Sequence, residues 1–203
     1  MEFTLTYDGP LAANGRPSQK HDIRRALHPQ LKELWEHKPL LQFYDAGGPN
    51  LSTVAGYNFT SIVHPRWNFQ ATLDILMLRP EPPGGIVKSR GDIDNRLKTL
   101  FDALTRPIYD QDVPKAWNPT TDEDPLHCLL ENDDLITAVT ISTDRLLAAS
   151  TPTHVKLIIR VHVQISALSA GWQSSADEPS PGAARAHRSA SAWQHHHTVR
   201  PTA

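Results

Sequence analysis

Residues 91–104 read Gly-Asp-Ile-Asp-Asn-Arg-Leu-Lys-Thr-Leu-Phe-Asp-Ala-Leu, and they are the most informative stretch of the 203-residue chain. Apolar side chains recur in it at the three- and four-residue spacing of one helical face. They are Ile93, Leu97, Leu100, Phe101 and Leu104. Gly91 marks a bend just before them, and neither Pro nor Gly interrupts the run. The stretch therefore predicts an amphipathic helix with one buried face.

Two carboxylates stand two residues apart at the start of this helix. Side chains with that spacing diverge within a helix but point to the same side of extended backbone. If the chain stays extended until the helix begins near Asp94, the side chains of Asp92 and Asp94 converge on one point. Lys98 lies one turn further along the same helical face as Asp94. Two carboxylates and an ammonium group are therefore predicted in one small volume.

These three residues have two interpretations. In a purely structural one, Asp92 caps the helix, Asp94 complements its positive end and Lys98 pairs with Asp94. In a functional one, the carboxylates hold a hard divalent cation through oxygen, and Lys98 stabilises charge on a phosphate. A second acidic segment, Glu-Asn-Asp-Asp at 131–134, directly precedes a strand-like run at 135–141. It favours the functional interpretation, because two acidic segments at the mouths of regular elements suit the two halves of one metal site.

The pattern G-D-I-D-N-x-x-K-x-x-x-D-A-L, followed later by D-D and a strand, resembles the RusA-type Holliday junction resolvases. The resemblance covers roughly residues 1–165 in element order, and it is specific only in the two acidic segments. It implies a Mg²⁺-dependent endonuclease, with Mn²⁺ as the alternative ion, that acts as a homodimer on four-way DNA junctions. It places the catalytic and metal-binding carboxylates on Asp92, Asp94 and Asp134, and the catalytic lysine on Lys98.

The chain departs from this family in one place, since the link between Lys98 and Asp134 is much longer than the family leads us to expect. This Pro-rich insertion, about 106–131, carries the acidic run Thr-Asp-Glu-Asp at 121–124. A loop of this length inside a compact domain is usually functional or disordered. We expect it to cover the site, to reach across a dimer or to have no role.

The charge distribution is unusual for a protein that binds nucleic acid. The net charge is −2. Residues 106–135 carry 2 basic and 8 acidic side chains, whereas residues 1–105 carry 12 and 11, and residues 136–203 carry 6 and 3. The acidity is thus concentrated in the insertion, and the remainder is neutral or mildly basic. This distribution counts slightly against DNA binding.

The compartment is indicated by cysteine usage and by the hydropathy of the chain. The single Cys128 excludes an intrachain disulfide and fits a reducing compartment. The N-terminus shows neither the basic nor the apolar region of a signal peptide, and no apolar run approaches membrane-spanning length. The sequence therefore predicts a cytoplasmic protein without a membrane partner.

Hydrophobic periodicity predicts elements in the order β-α-β-β-α-β-β. The predicted strands are residues 2–8, 54–64, 66–78, 135–143 and 154–165, and the first helix is residues 18–37. Pro29 predicts a break or kink in that helix near His28. We expect the second and third strands to form a hairpin and the last two to pair with each other. The result is an α+β fold, a two-layer mixed β-sheet with packed helices, which is RusA-like by the resemblance.

Six polar or basic residues are candidates for contacts with DNA, and each is also compatible with an ordinary turn or a solvated surface. They are Asn14, Arg16, Arg24, Arg25, Lys88 and Arg90. The resemblance places DNA contacts near the turn that holds the first two. The next two lie off the apolar stripe of the first helix, on a face that would be either solvated or in contact with phosphates. The last two precede the acidic motif in a Pro/Gly loop, which suits an incoming phosphate backbone.

The chain is expected to divide into one folded domain and a C-terminal tail. Residues 1–167 are expected to form a RusA-like nuclease domain, and residues 168–203 a flexible low-complexity tail. The expected function is Mg²⁺-dependent hydrolysis of phosphodiesters in four-way or otherwise branched DNA. Two alternatives stay open: a metal-dependent phosphohydrolase that acts on RNA or small nucleotides, and a non-catalytic DNA-binding protein that retains the fold.

Overall fold

Two mixed β-sheets and three helices build the part of the chain that the structure, a computed structural model, describes: residues 1–45, 50–81 and 93–166. The strands are β1 (Glu2–Pro10), β2 (Ser52–Val54), β3 (Tyr57–Val63), β4 (Phe69–Arg79), β5 (Leu126–Leu130), β6 (Ile136–Arg145) and β7 (His154–Ile165). The helices are α1 (Pro17–Trp35), α2 (Leu40–Asp45) and α3 (Ile93–Leu104). The predicted α+β class is confirmed.

The larger sheet has the strand order β1-β7-β4-β6. β7 is antiparallel to both of its neighbours, whereas β4 and β6 run parallel. One face of this sheet is buried. Since alternate residues of a strand point to the same side, every second residue of a strand lies on that face. In β7 the buried residues are Val155, Leu157, Ile159, Val161 and Val163. α1 and α3 contribute Ile23, Leu27, Leu31, Leu100 and Leu104 to the same hydrophobic cluster.

Strand pairing differs from the prediction in two places. β3 does not pair with β4; it pairs antiparallel with β2 and parallel with β5 in a separate three-stranded sheet. β6 and β7 do not pair either, because β4 lies between them. Between β3 and β4 the chain forms a 3₁₀ turn, Pro65–Trp67, and then Asn68 adopts a left-handed conformation with φ 54°. This connection redirects the chain out of the expected hairpin.

The insertion after α3 contains regular secondary structure. It contains two 3₁₀ turns, Asp110–Asp112 and Thr121–Glu123, and the strand β5. All five residues of β5 are buried, so the strand shows no polar–apolar alternation. The sequence analysis missed β5 for that reason. The insertion therefore contributes a strand to the smaller sheet.

The predicted break in α1 is absent, since Pro29 lies inside one continuous helix. The apolar stripe on both sides of Pro29 is buried, which stabilises the helix although a backbone hydrogen bond is lost there. Residues 1–166 form one compact unit, and the predicted tail, 168–203, lies outside the described residues. None of the helices in the described ranges is both long and apolar enough to cross a membrane.

Candidate functional site

Three charged side chains lie in a row along one face of α3. Since α3 begins at Ile93, Asp94 stands in its first turn, and Lys98 and Asp102 follow at intervals of four residues. All three line a cavity of about 320 Å³. Leu97 and Phe101 form the apolar part of its wall. The helix predicted from the sequence therefore carries Asp94 and Lys98 to a common cavity.

The second acidic segment also lines this cavity. Asp133 lines it from the 3₁₀ turn Asp133–Leu135, which directly precedes β6. The side-chain oxygen of Asn132 accepts a hydrogen bond from the Asp133 N–H at 2.9 Å and so holds the start of the turn. The turn contacts both α3 and β4. The structure thus brings one residue from each acidic segment to the same place.

The predicted carboxylates have different positions relative to this cavity. Asp92 lies outside the described residues. Asp134 is exposed on the same turn as Asp133 but does not line the cavity. Successive residues of a 3₁₀ turn project about 120° apart, so neighbouring carboxylates face different directions. The resemblance names Asp134 as a metal ligand and does not name Asp133, although both belong to the D-D pair.

Asp94 and Lys98 are both exposed, and they do not pair with each other. No described residue lies within ion-pair distance of either side chain, although the structural interpretation of the sequence expects an Asp94–Lys98 pair. Their charges are therefore available to a molecule that enters the cavity.

The donor set of the cavity suits a hard cation. Asp94, Asp102 and Asp133 present three carboxylates to it, and Asp102 is paired with Lys20. Mg²⁺ commonly binds proteins through one or two carboxylates and keeps several waters. Within residues 1–45, 50–81 and 93–166, no group of three His, Cys, Asp or Glu side chains is placed to hold a metal ion. A Mg²⁺ ion held by Asp94 and Asp133 would therefore take its other ligands from water.

The turn that contains Asn14 and Arg16 packs against the same helix. The Asn14 N–H donates to the Asn95 carbonyl at 3.4 Å, and the Gly15 N–H donates to Thr99 Oγ1 at 2.8 Å. A Cβ atom at Gly15 would lie only 2.6 Å from Thr99 Cγ2, so a larger residue would push the turn away. Asn14 and Arg16 are exposed at this turn, beside the helix that carries Asp94 and Lys98.

Arg24 is not on an exposed face of α1, and this corrects its predicted position. Its side chain is 4 % exposed. Nε donates to the Thr105 carbonyl at 2.7 Å, and Nη2 donates to the Asp102 carbonyl at 2.6 Å. These carbonyls belong to the end of α3, where the last turn leaves acceptors without helical partners. Arg24 therefore caps α3 from inside the protein.

Arg25 is exposed on α1 but already has an anionic partner. Its Nε donates to Glu123 Oε1, and Lys32 further along α1 pairs with Asp122. The acidic run of the insertion thus packs against α1 and neutralises the charges of Arg25 and Lys32. Lys88 and Arg90, the other two basic candidates, lie outside the described residues.

Glu131 belongs to the second acidic segment, but it serves the fold. Its carboxylate accepts hydrogen bonds from Arg106 Nη2 and from Ser61 Oγ, the latter at 3.0 Å. Burial raises the pKa of Glu131, but the hydrogen bond and charge of Arg106 outweigh burial, so the pKa lies below its ordinary value. Glu131 is thus an anion that joins β3 and the segment after α3.

Comparison with known proteins finds no matching family model, curated protein or solved structure for this chain.

Proposed function

We propose that this chain is a RusA-like, Mg²⁺-dependent endonuclease that hydrolyses phosphodiesters in four-way or otherwise branched DNA. The observation that carries the proposal is the cavity shared by Asp94, Lys98 and Asp133. It joins two acidic segments that are about 40 residues apart in the sequence, with a lysine between them. This combination suits phosphoryl transfer better than acyl transfer, which needs an activated nucleophile and its base.

Each residue of the cavity has a role in this proposal. Asp94 and Asp133 would hold the ion, together with Asp92 and Asp134 as the resemblance implies. Bound Mg²⁺ would supply an activated water and neutralise phosphate charge. Lys98 would bind a non-bridging oxygen of the scissile phosphate and stabilise the negative charge that develops on it. Leu97 and Phe101 would limit the access of bulk water to that side of the cavity.

A dimer would present two such cavities to the two symmetric strands of a junction, as the resemblance implies. Light scattering at micromolar concentration measures the mass directly. If the measured mass is that of one chain, the protein does not cleave the two strands of a junction as a dimer. Cleavage of branched DNA at a single site would still be compatible with that mass.

The nuclease assay that tests the proposal uses a four-way junction, a linear duplex of the same sequence and a matched RNA. We expect Mg²⁺-dependent cleavage of the junction in preference to the duplex, and no cleavage in EDTA. Lys98→Ala should abolish most of the activity, whereas Lys156→Ala, an exposed lysine on β7, should not. Junction binding without cleavage by the parent protein would refute the enzyme and support a DNA-binding protein.

A second candidate function is a metal-dependent phosphohydrolase for RNA or small nucleotides. The observation in its favour is electrostatic, since the net charge is −2 and the acidic run pairs with Arg25 and Lys32. A small substrate needs few phosphate contacts, whereas DNA binding gains most of its affinity from many. Hydrolysis of the RNA or of nucleotides, without action on the junction, would identify this function.

A further inference from the structure

A second cavity lies between α1 and the C-terminal end of α3. Its volume is about 130 Å³, and it shares Asp102 and Asp133 with the first cavity. Three basic side chains line it: Lys20 and Arg24 from α1, and Arg106 from the segment after α3. Basic groups from two parts of the chain therefore meet next to the candidate active site.

Two guanidinium groups of this cavity have nitrogen atoms without acceptors. Arg24 binds two carbonyls through Nε and Nη2, but its buried Nη1 has no hydrogen-bond partner among the described residues. In Arg106, Nη1 donates to the Pro107 carbonyl and Nη2 to Glu131, whereas the buried Nε lacks a partner in the same part of the chain. An unsatisfied buried donor costs about 1–3 kcal/mol, and more when it is charged.

Two of the three carboxylates that line this cavity, Asp102 and Asp112, have partners, and the third, Asp133, is shared with the first cavity. Asp102 pairs with Lys20, with 2.7 Å between its carboxylate and Nζ. Asp112 Oδ2 accepts hydrogen bonds from the N–H groups of Ile108 and Tyr109 at 3.3 and 3.0 Å. Burial is the main influence on Arg24 and lowers its pKa, while nearby carboxylates including Asp112 and Asp102 oppose that shift. The guanidinium remains charged, because arginine is not deprotonated in proteins.

We infer that this cavity binds one phosphate group, which in the proposed nuclease is a backbone phosphate next to the one that reacts at Asp94 and Lys98. A phosphate offers several acceptor oxygens to guanidinium and ammonium donors, and such charge-assisted hydrogen bonds are strong. The volume would hold about four waters, so it also accommodates the oxygens of one phosphate. The placement in the substrate strand rests on the proposed function; the phosphate site itself does not.

The test measures binding of inorganic phosphate to the full chain by calorimetry, without Mg²⁺ and against chloride at equal ionic strength. The parent protein should bind one phosphate per chain. Lys20→Gln removes one positive charge and leaves Asp102 unpaired, so binding should weaken about tenfold or more. Lys156→Gln removes an exposed lysine from β7 and should bind phosphate as the parent does. Arg106→Gln should weaken binding as well, with Arg160→Gln on β7 as its matched control.

Arg24→Lys keeps the charge but loses the forked donors, and it should weaken phosphate binding if it folds. Lys98→Gln shows which cavity holds the phosphate, because Lys98 lines the first cavity and not the second. If Lys98→Gln removes phosphate binding while Lys20→Gln retains it, the phosphate occupies the first cavity and the inference is wrong. An absence of binding beyond chloride would show a cavity that holds only water and would equally overturn it.

These results are distinguishable from a failure of the proposed function. Phosphate binding that depends on Lys20, in a protein that cleaves no nucleic acid, would leave the phosphate site standing and refute the nuclease. Cleavage of branched DNA by a protein that binds no inorganic phosphate would support the nuclease and remove this site.

Discussion

Arg96 Nη2 lies 3.0 Å from Glu81 Oε1, and both side chains are buried. Arg96 is the largest fully buried side chain of α3, in the middle of the motif that carries Asp94 and Lys98. The pair therefore ties the start of α3 to the end of β4, where Glu81 follows Arg79. It therefore helps to hold α3 against the larger sheet.

Glu81→Gln should destabilise the fold, because it removes an anion that pairs with a buried guanidinium. The expected loss is about 3 kcal/mol in the free energy of unfolding, measured by urea denaturation. If Glu81→Gln unfolds at the same urea concentration as the parent, the pair contributes nothing to stability.

Asp133→Asn and Asp134→Asn distinguish the two carboxylates of the second acidic segment. Asp133 lines the cavity and Asp134 does not, so we expect Mg²⁺ to raise the melting temperature of the Asp134→Asn protein more than that of the Asp133→Asn protein. Removing a carboxylate from a metal site weakens binding, and bound ligand stabilises the folded state. The reverse order would restore the assignment of Asp134 from the sequence resemblance.

Lys98→Ala should leave stability within about 0.5 kcal/mol of the parent, because Lys98 is exposed and has no ion-pair partner among the described residues. Cleavage should fall by about 10²–10³-fold if the lysine stabilises the transition state. Circular dichroism melting gives the first quantity, and single-turnover cleavage of a junction gives the second. Equal cleavage rates for the variant and the parent would show that Lys98 has no catalytic role.

Asp122→Asn should strengthen binding to branched DNA, because it frees Lys32 on α1 from its anionic partner. Asp122 is the better choice than Glu123, which is buried and accepts a hydrogen bond from the Thr120 N–H at 3.0 Å. The gain should be largest at low salt, where screening is weakest. Glu36→Gln changes the net charge equally at an exposed position of the same region and serves as the control. Equal affinities for the two variants would show that net charge alone matters.

Stability should fall as the pH falls from about 6.5 to 4. Burial, the largest cause, lowers the pKa of His21 and of His127 from 6.5 to about 4. The unfolded chain therefore binds more protons than the folded chain between these values, and stability rises with pH across this window. Above about pH 6.5 both histidines are neutral in the folded and the unfolded chain, so the free energy of unfolding no longer changes with pH through them. Urea denaturation at pH 4.5, 5.5 and 7 measures it.

His21→Phe should flatten part of this pH dependence. Neither ring nitrogen of His21 has a hydrogen-bond partner in the described structure, and the ring packs edge-on against Trp117 at a centroid distance of 4.4 Å. Phe keeps this packing and cannot be protonated. His37→Phe, at an exposed position, should leave the slope as it is. An unchanged slope for His21→Phe would show that this histidine is not a source of the acid sensitivity.

The sequence by itself determined the elements whose signal is local. The spacing of apolar residues predicted α3, and with it the common face of Asp94 and Lys98, because a helix repeats every 3.6 residues whatever surrounds it. Alternation likewise predicted β1 and β7 within a few residues of their observed ends. The α+β class followed from the order of these elements.

Only the tertiary structure decided the partners of those elements. It separated β3 from β4, placed β4 between β6 and β7, and gave β3 a partner, β5, from the insertion. It also buried Arg24 and Arg96, two charged residues that a helical pattern assigns to solvent. These outcomes depend on groups that are far apart in the chain, such as Arg24 and the Thr105 carbonyl. The same is true of the cavity, because Asp133 lines it from the turn before β6, which packs against α3.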